Sequence, residues 1–166
     1  MTANGDALPA ATERFHIQFL PAMPTFGPPE RVYVENEWYD GPRAGIADVN
    51  GLPHRFVSQW DEAEEEYVGT FLVWPATDEE LSLEQEQWAI FVTWNERYEA
   101  GAADSASHPG NAGTDSRWHE IELQLAPRRK SIPVTAKTAK VQVQPLRQGM
   151  RYALSGPSYQ LSWALM

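Results

Sequence analysis

The stretch from Thr77 to Gly101 constrains this fold more than any other. Thr77-Asp78-Glu79-Glu80 has the spacing of a capping box, in which a hydroxyl and a carboxylate three residues apart satisfy each other's free backbone N–H groups. The acids also suit the positive end of a helix dipole. Gly101 is a natural stop, so the pattern predicts a helix running to about Glu99. At about 100° per residue, Leu81, Leu83, Trp88, Ile90, Phe91, Val92, Trp94 and Tyr98 cover about 200° of its circumference, whereas a surface helix needs a stripe of only ~100°. The rest of the chain must therefore cover this helix on more than one side. Glu84 and Asn95 fall inside the apolar arc. Each is expected at the rim, reaching water, because a carboxylate buried there needs a partner or a raised pKa.

The residues before the helix supply a sheet. Arg31 to Glu35 alternates, with Val32 and Val34 on one face. Gly45 to Val49 is a short strand, and Asn50-Gly51 is a two-residue hairpin turn, since both positions tolerate positive φ. His54 to Trp60 returns with His54, Phe56, Ser58 and Trp60 on one side. Asp61 to Glu66 is an acidic link too short to hold a helix alone. Tyr67 to Trp74 is apolar on both faces, as a central strand covered twice would be. Upstream, Phe15 to Leu20 alternates as a half-buried strand, and Pro21, Pro24, Pro28 and Pro29 make a stiff connection with Phe26 set to plug into the body.

Downstream, Ala102 to Thr114 is small and polar and reads as a mobile loop. Asp115 or Thr114 caps a second helix through Trp118, Ile121 and Leu125, with Pro127 as its stop; the rival reading is a strand on Ile121, Leu123 and Leu125. Pro127 to Thr138 is basic and extended. Val141 and Val143 lie on a strand closed by Pro145. Met150 to Leu154 and Tyr159 to Leu165 read as a hairpin across Ser155-Gly156-Pro157. The last strand places Tyr159, Leu161, Trp163 and Leu165 on one face, which either covers the long helix or binds another chain. The fold expected is α+β: an antiparallel sheet of about five or six strands with one long helix packed on it. A small β-barrel with an added helix is the alternative.

The chain has 166 residues, which favours one domain. Within it the expected parts are a flexible tail over 1–14, an acidic α+β body over 15–126 and a basic strand and hairpin segment over 127–166. Net charge is −10, unevenly placed. Up to Ser116 there are 5 basic and 21 acidic residues; from Arg117 there are 8 basic and 2 acidic, and none of the acids follows Glu122. Either the basic third neutralises the body, or Arg128, Arg129, Lys130, Lys137 and Lys140 meet an outside anion, nucleic acid included.

There is no cysteine, which removes disulfides and thiol chemistry and fits a reducing cytoplasm. No signal-peptide pattern opens the chain, and no apolar run approaches the ~20 residues of a membrane helix. His16, His54, His108 and His119 have no partner at helical metal spacing, and neither a nucleophile elbow nor a phosphate loop is present. No catalytic residue, metal or cofactor is expected.

The best cluster is Trp38, Tyr39, Asp40, Arg43 and His54. Arg43 offers a two-pronged clamp for a carboxylate or phosphate, and His54 a proton shuttle. The plainer reading is a tight turn, with Asp40 bonding backbone, Arg43 paired to an acid such as Asp48, and Trp38 and Tyr39 in the core. The run Trp38-Tyr39-Asp40-Gly41-Pro42-Arg43, with Gly45-Ile46-Ala47-Asp48, Gly51, Pro53-His54, Phe56 and Gln87-Trp88, resembles a block in uncharacterised small bacterial proteins. The resemblance spans Val32 to Tyr98 and implies a bacterial cytosolic setting without implying an activity. Three functions follow as expectations. The first is a non-catalytic protein-interaction module or a subunit of a larger assembly, with another protein chain as partner. The second is anion or nucleic-acid binding through the basic third. The third is a small enzyme using Asp40, Arg43 and His54, which requires the three side chains to converge.

Overall fold

Alternation and turn chemistry build a single large sheet. The computed structural model describes residues 24–166, so the expected tail and the strand Phe15 to Leu20 lie outside the described residues. Strands β1 (Val32–Trp38), β2 (Pro42–Val49), β3 (Leu52–Asp61) and β4 (Glu66–Pro75) follow one another as hairpins. β5 (Lys137–Pro145) joins β4, and the last strand, β8 (Tyr159–Leu165), joins β5; the order is β1-β2-β3-β4-β5-β8, antiparallel throughout. The Asn50-Gly51 turn has the expected left-handed pair, φ 54° and 79°. The Glu30 carboxylate fixes it by accepting both turn N–H groups.

The sheet curls into a half-barrel, in keeping with the expected α+β class. The chain just before β1 reaches across to β8: Gly27 N–H donates to the Trp163 carbonyl and Glu30 exchanges two bonds with Leu161, at 2.8–3.0 Å. Inside the curl lie Val32, Ala47, Val49, Phe56, Phe71, Val73, Tyr159, Leu161 and Trp163. The Phe56, Phe71 and Trp163 rings meet in pairs at 5.8–6.1 Å. Burying each such side chain contributes roughly 1.5–3 kcal/mol before entropy. Of the apolar face of β8, Tyr159, Leu161 and Trp163 are thus buried inside their own chain, while Leu165 is exposed.

Helix α1 (Asp78–Glu99) lies on the outer face, with both halves of the Thr77–Glu80 capping box formed and Gly101 at φ 75° beyond its end. It rests on Val34 and Ile46 through Trp88 and Val92. Val32 and Val34 do not share a face as expected. Val32 is opposite Ala47 and Val34 opposite Ile46, so β1 carries an extra residue there and its side chains change sides. The second cover of α1 comes from helix α2 (Ser116–Lys130), capped by Asp115, and from a two-residue ribbon, β6 (Tyr152–Ala153) with β7 (Gly156–Pro157). The covered arc is narrower than 200°: Tyr98 is 44% exposed and stacks on Trp94 instead.

Four expectations are corrected here. Pro127 does not stop α2, which runs on to Lys130 and so crosses the boundary placed at residue 127. The proline costs one bond, to the carbonyl of the exposed Leu123. Tyr159 to Leu165 pairs with β5 rather than with Met150 to Leu154. The loop after α1 is tied down: Asp104 caps a 3-10 turn, Asn111 donates to two carbonyls, and the Trp94 indole donates to Ser107. Tyr67 to Trp74 is covered only in its second half, since β5 pairs with it only over Phe71 to Val73.

Candidate functional site

The outer face of the sheet should be as apolar as the inner one, and it is not. Arg55 stands opposite Ile46 on β2 and Trp74 on β4, directly under α1. Glu80 and Glu84, one turn apart on α1, face it. The Arg55 Nε binds Glu80, and its Nη1 donates to Glu84 Oε2 at 2.8 Å. From the other side Arg129 of α2 forks onto both Glu84 oxygens, at 2.6 and 3.1 Å, and also donates to Glu122 and to the Gln87 amide oxygen. Asn36 of β1 adds a further donor to Glu84. One charged chain thus crosses from strand to helix to helix.

Glu84 is 1% exposed, so it is at the centre of the network and not at the rim where it was expected. Burial pushes its pKa upward, but the bonds and charge of Arg129, then of Arg55, outweigh that and hold it below the usual carboxylate value. Burial likewise works against Glu80; the Thr77 N–H and Arg55 overcome it and lower its pKa. Arg129 is the mirror image: burial opposes its charge, and Glu84 and Glu122 restore and raise its pKa. Breaking such a buried pair by removing one partner costs roughly 3–5 kcal/mol.

Above this network a cleft of about 560 Å³ opens between β1, α1, α2 and the β6–β7 ribbon. Its walls are Trp38, Trp88, Phe91, Trp118 and Tyr152. Trp88 is fixed by its indole bond to the Ala153 carbonyl, 2.7 Å, and meets Phe91 and Tyr152, each at 5.7 Å. His108 sits among Phe91, Trp94 and Trp118 at 4.7–6.0 Å. Burial lowers its pKa, so it is neutral, and its Nδ1 accepts the Gly110 N–H, which leaves the proton on Nε2. Glu84, Gln87, Glu122 and Arg129 present polar atoms to the same space, and Glu35, Asn36 and Glu37 line it from β1. Glu35 is held by Arg151 and by the Tyr159 hydroxyl, both at 2.7 Å. Arg151 in turn lies over the Trp38 and Tyr152 rings at 4.6 and 4.5 Å.

No family model, curated protein or solved structure compared with the chain matches it.

The cluster read from the sequence is only partly assembled. Arg43 donates to the Tyr39 and Asp40 carbonyls and to Ser58, and lies 3.8 Å over the Tyr67 ring. It closes the β1–β2 turn, where Asp40 takes φ 52°. It does not pair with Asp48, which accepts from the Tyr33 hydroxyl instead. Trp38 and Tyr39 are exposed, not core. His54 is opposite Ala47 and Pro75, four residues along β3 from Ser58, which separates it from Arg43 by ~13 Å. Asp40, Arg43 and His54 therefore share no cleft. Of the basic residues, Arg128 pairs with Glu79 and Arg129 belongs to the buried network. Lys130, Lys137 and Lys140 are exposed, but Lys137 and Lys140 are three apart on a strand and point to opposite faces.

Sequence reasoning missed Arg55, Glu80, Gln87, Glu122, Glu35 and Tyr152. The signal was a polar stripe, Glu80, Glu84 and Gln87, at helical spacing inside an apolar pattern, facing an arginine that alternates with Phe56 on β3. Among the described residues no three acids or histidines are placed to hold a metal ion, and no helix is long and apolar enough to cross a membrane.

Proposed function

We propose that the chain is a non-catalytic recognition protein, and that the cleft between β1, α1 and α2 holds its ligand. One observation carries this reading. The cleft has aromatic walls and a floor whose charged groups are locked in ion pairs, so they bind and orient rather than exchange protons. Glu84, clasped by two guanidinium groups, stays ionised well below neutral pH. The volume falls within the ~300–1,000 Å³ of ordinary small-molecule sites. A cytoplasmic setting belongs to the reading, since the chain has no cysteine. The test is a fragment screen read by the indole N–H resonances. Hits that move Trp38, Trp88 and Trp118 while leaving Trp163 in place support it; a screen in which none of the three moves overturns it.

A second reading, docking of another protein chain, is favoured by one surface. Beyond Thr70 the β3–β4 hairpin outruns β5, leaving Trp60 and Val68 exposed with Tyr39 and Tyr67 beside them. Aromatic side chains of this kind are enriched where partners bind. Anion or nucleic-acid binding draws less support, because Arg128 and Arg129 already have carboxylate partners.

A further inference from the structure

We infer that the ligand of the cleft is an organic cation, an amine or guanidine carried on an apolar or aromatic body, and that Glu37 is the carboxylate that receives its charge. The inference rests on the reading of the cleft as a binding site. Charge is the first argument. Glu35, Glu37, Glu80, Glu84 and Glu122 stand in or under the cleft, and three guanidinium groups, of Arg55, Arg129 and Arg151, meet them. Arg43, over the Tyr67 ring that bonds Glu37, is a fourth guanidinium beside the cleft, so one negative charge is left over. The only side-chain hydrogen bond to Glu37 among the described residues is from a neutral donor, the Tyr67 hydroxyl at 3.4 Å.

The walls are the second argument. Arg151 already lies across Trp38 and Tyr152, so these rings are seen accepting a cation. Two histidines line the cleft: His108 is held neutral by its aromatic surroundings, and His119 has its Nε2–H bonded to the Asn111 carbonyl. Size is the third. About 560 Å³ is far more than an inorganic ion occupies, and the apolar walls ask for an apolar body. An anion would meet Glu37 and Glu122 on the lining, and a low-dielectric cleft with an excess of one sign amplifies that repulsion.

The experiment uses the full chain and a matched series: 4-phenylbutylamine, 4-phenylbutanol and 4-phenylbutyrate, titrated by calorimetry and by the indole resonances. The amine is expected to bind at least tenfold more tightly than the alcohol, with the carboxylate weakest. Glu37→Gln, an exposed change that leaves the buried pairs intact, is expected to weaken the amine severalfold and leave the alcohol unchanged. If the alcohol or the carboxylate moves the same indoles as strongly as the amine, the cleft binds ligands but the cation assignment is wrong. An amine preference that survives Glu37→Gln in full overturns the role given to that residue. If no member of this series and no fragment moves those indoles, the binding reading itself fails and the inference goes with it.

Discussion

The two faces of the same sheet are built on opposite principles. Inside the curl, Phe56, Phe71, Leu161 and Trp163 pack without a charge among them. Outside, one residue away along the same strand, Arg55 is only 2% exposed and is met by two carboxylates of α1. The inner face owes its stability to volume and area, and is forgiving of shape at modest cost. The outer face depends on a set of mutual partners that satisfies all but the buried Arg55 Nη2, and each group is tolerable only while the others are present. That difference is the ground for proposing the cleft as the binding site. An apolar interior needs no further reason than folding, whereas a buried charged network beside an open aromatic cleft fixes the positions of the cleft's polar groups.

The largest effects should separate the two faces by their rescue. Glu84→Ala leaves Arg55 and Arg129 without their shared carboxylate and is expected to cost roughly 3–5 kcal/mol in chemical denaturation. Trp163→Ala empties the inner core and is expected to cost about as much, roughly 3–5 kcal/mol. The triple change Arg55→Met, Glu80→Gln and Glu84→Met removes the charges together, keeps an acceptor for the Thr77 N–H and leaves Arg129 with Glu122. It should recover most of the loss, since buried pairs replaced by apolar groups are often neutral or better. A single Glu84→Ala costing under ~1 kcal/mol would sink the claim that the outer face is held by charge.

Gly45 joins the two faces and sharpens the comparison differently. A Cβ there would collide with the Val34 carbonyl on one side and press on the Phe56 ring on the other. Gly45→Ala should therefore cost roughly 1–3 kcal/mol or more by overpacking, despite adding one methyl group. A melting temperature unchanged from the parent would show that the sheet relaxes there.

How much of this was open to sequence reading follows the same division. The Asn50-Gly51 turn and the long capped helix are local or periodic signals, and each sits where the pattern put it. The bulge at Tyr33 was not readable, because one extra residue in β1 leaves the alternation of Val32 and Val34 intact on paper. Pro127 misled because a proline in the last turn removes only one bond at a solvent-facing carbonyl. The cleft was hidden for a deeper reason. Arg55, Glu84 and Arg129 come from three elements, 29 and 45 residues apart in the pairs they form, and nothing local marks them as partners. The Trp38–Arg43 run drew attention by being dense, yet Arg43 there closes a turn and His54 lies at the far end of the strand.

Acid should weaken the outer face and the cleft wall in two stages. His108 is neutral when folded because burial lowers its pKa below 6.5, while the unfolded chain takes up a proton near 6.5. The unfolded state therefore binds more protons as pH falls from about 6.5 toward the folded pKa, and stability declines over that window. Glu84 and Glu80 are lowered from 4.5, so their contribution is complete above that value and is lost as pH falls below it through their folded pKa values. Denaturant midpoints measured from pH 7.5 to 3 should fall in both windows. His108→Gln should flatten the upper one and leave the lower. If it flattens neither, the histidine is not held neutral by its cage.

The smallest expected effect on stability belongs to the surface that neither face needs. Tyr39 lies at the β1–β2 turn with its ring 6.3 Å from Tyr67, and Trp60 is close to half exposed against the same ring. Because Arg43 closes that turn through backbone carbonyls and not through the tyrosine ring, Tyr39→Ala should change stability by no more than about 0.5 kcal/mol. The same substitution, with Trp60→Ala, probes a docked protein: it removes aromatic area at the hairpin end, and amine binding measured alongside checks that Tyr67, which packs on both rings, still holds Glu37. Capture of a stoichiometric partner by the parent chain, lost in the double variant while amine binding is retained, would assign the two surfaces to two ligands. Equal capture by both chains would remove the hairpin end from consideration and leave recognition to the cleft alone.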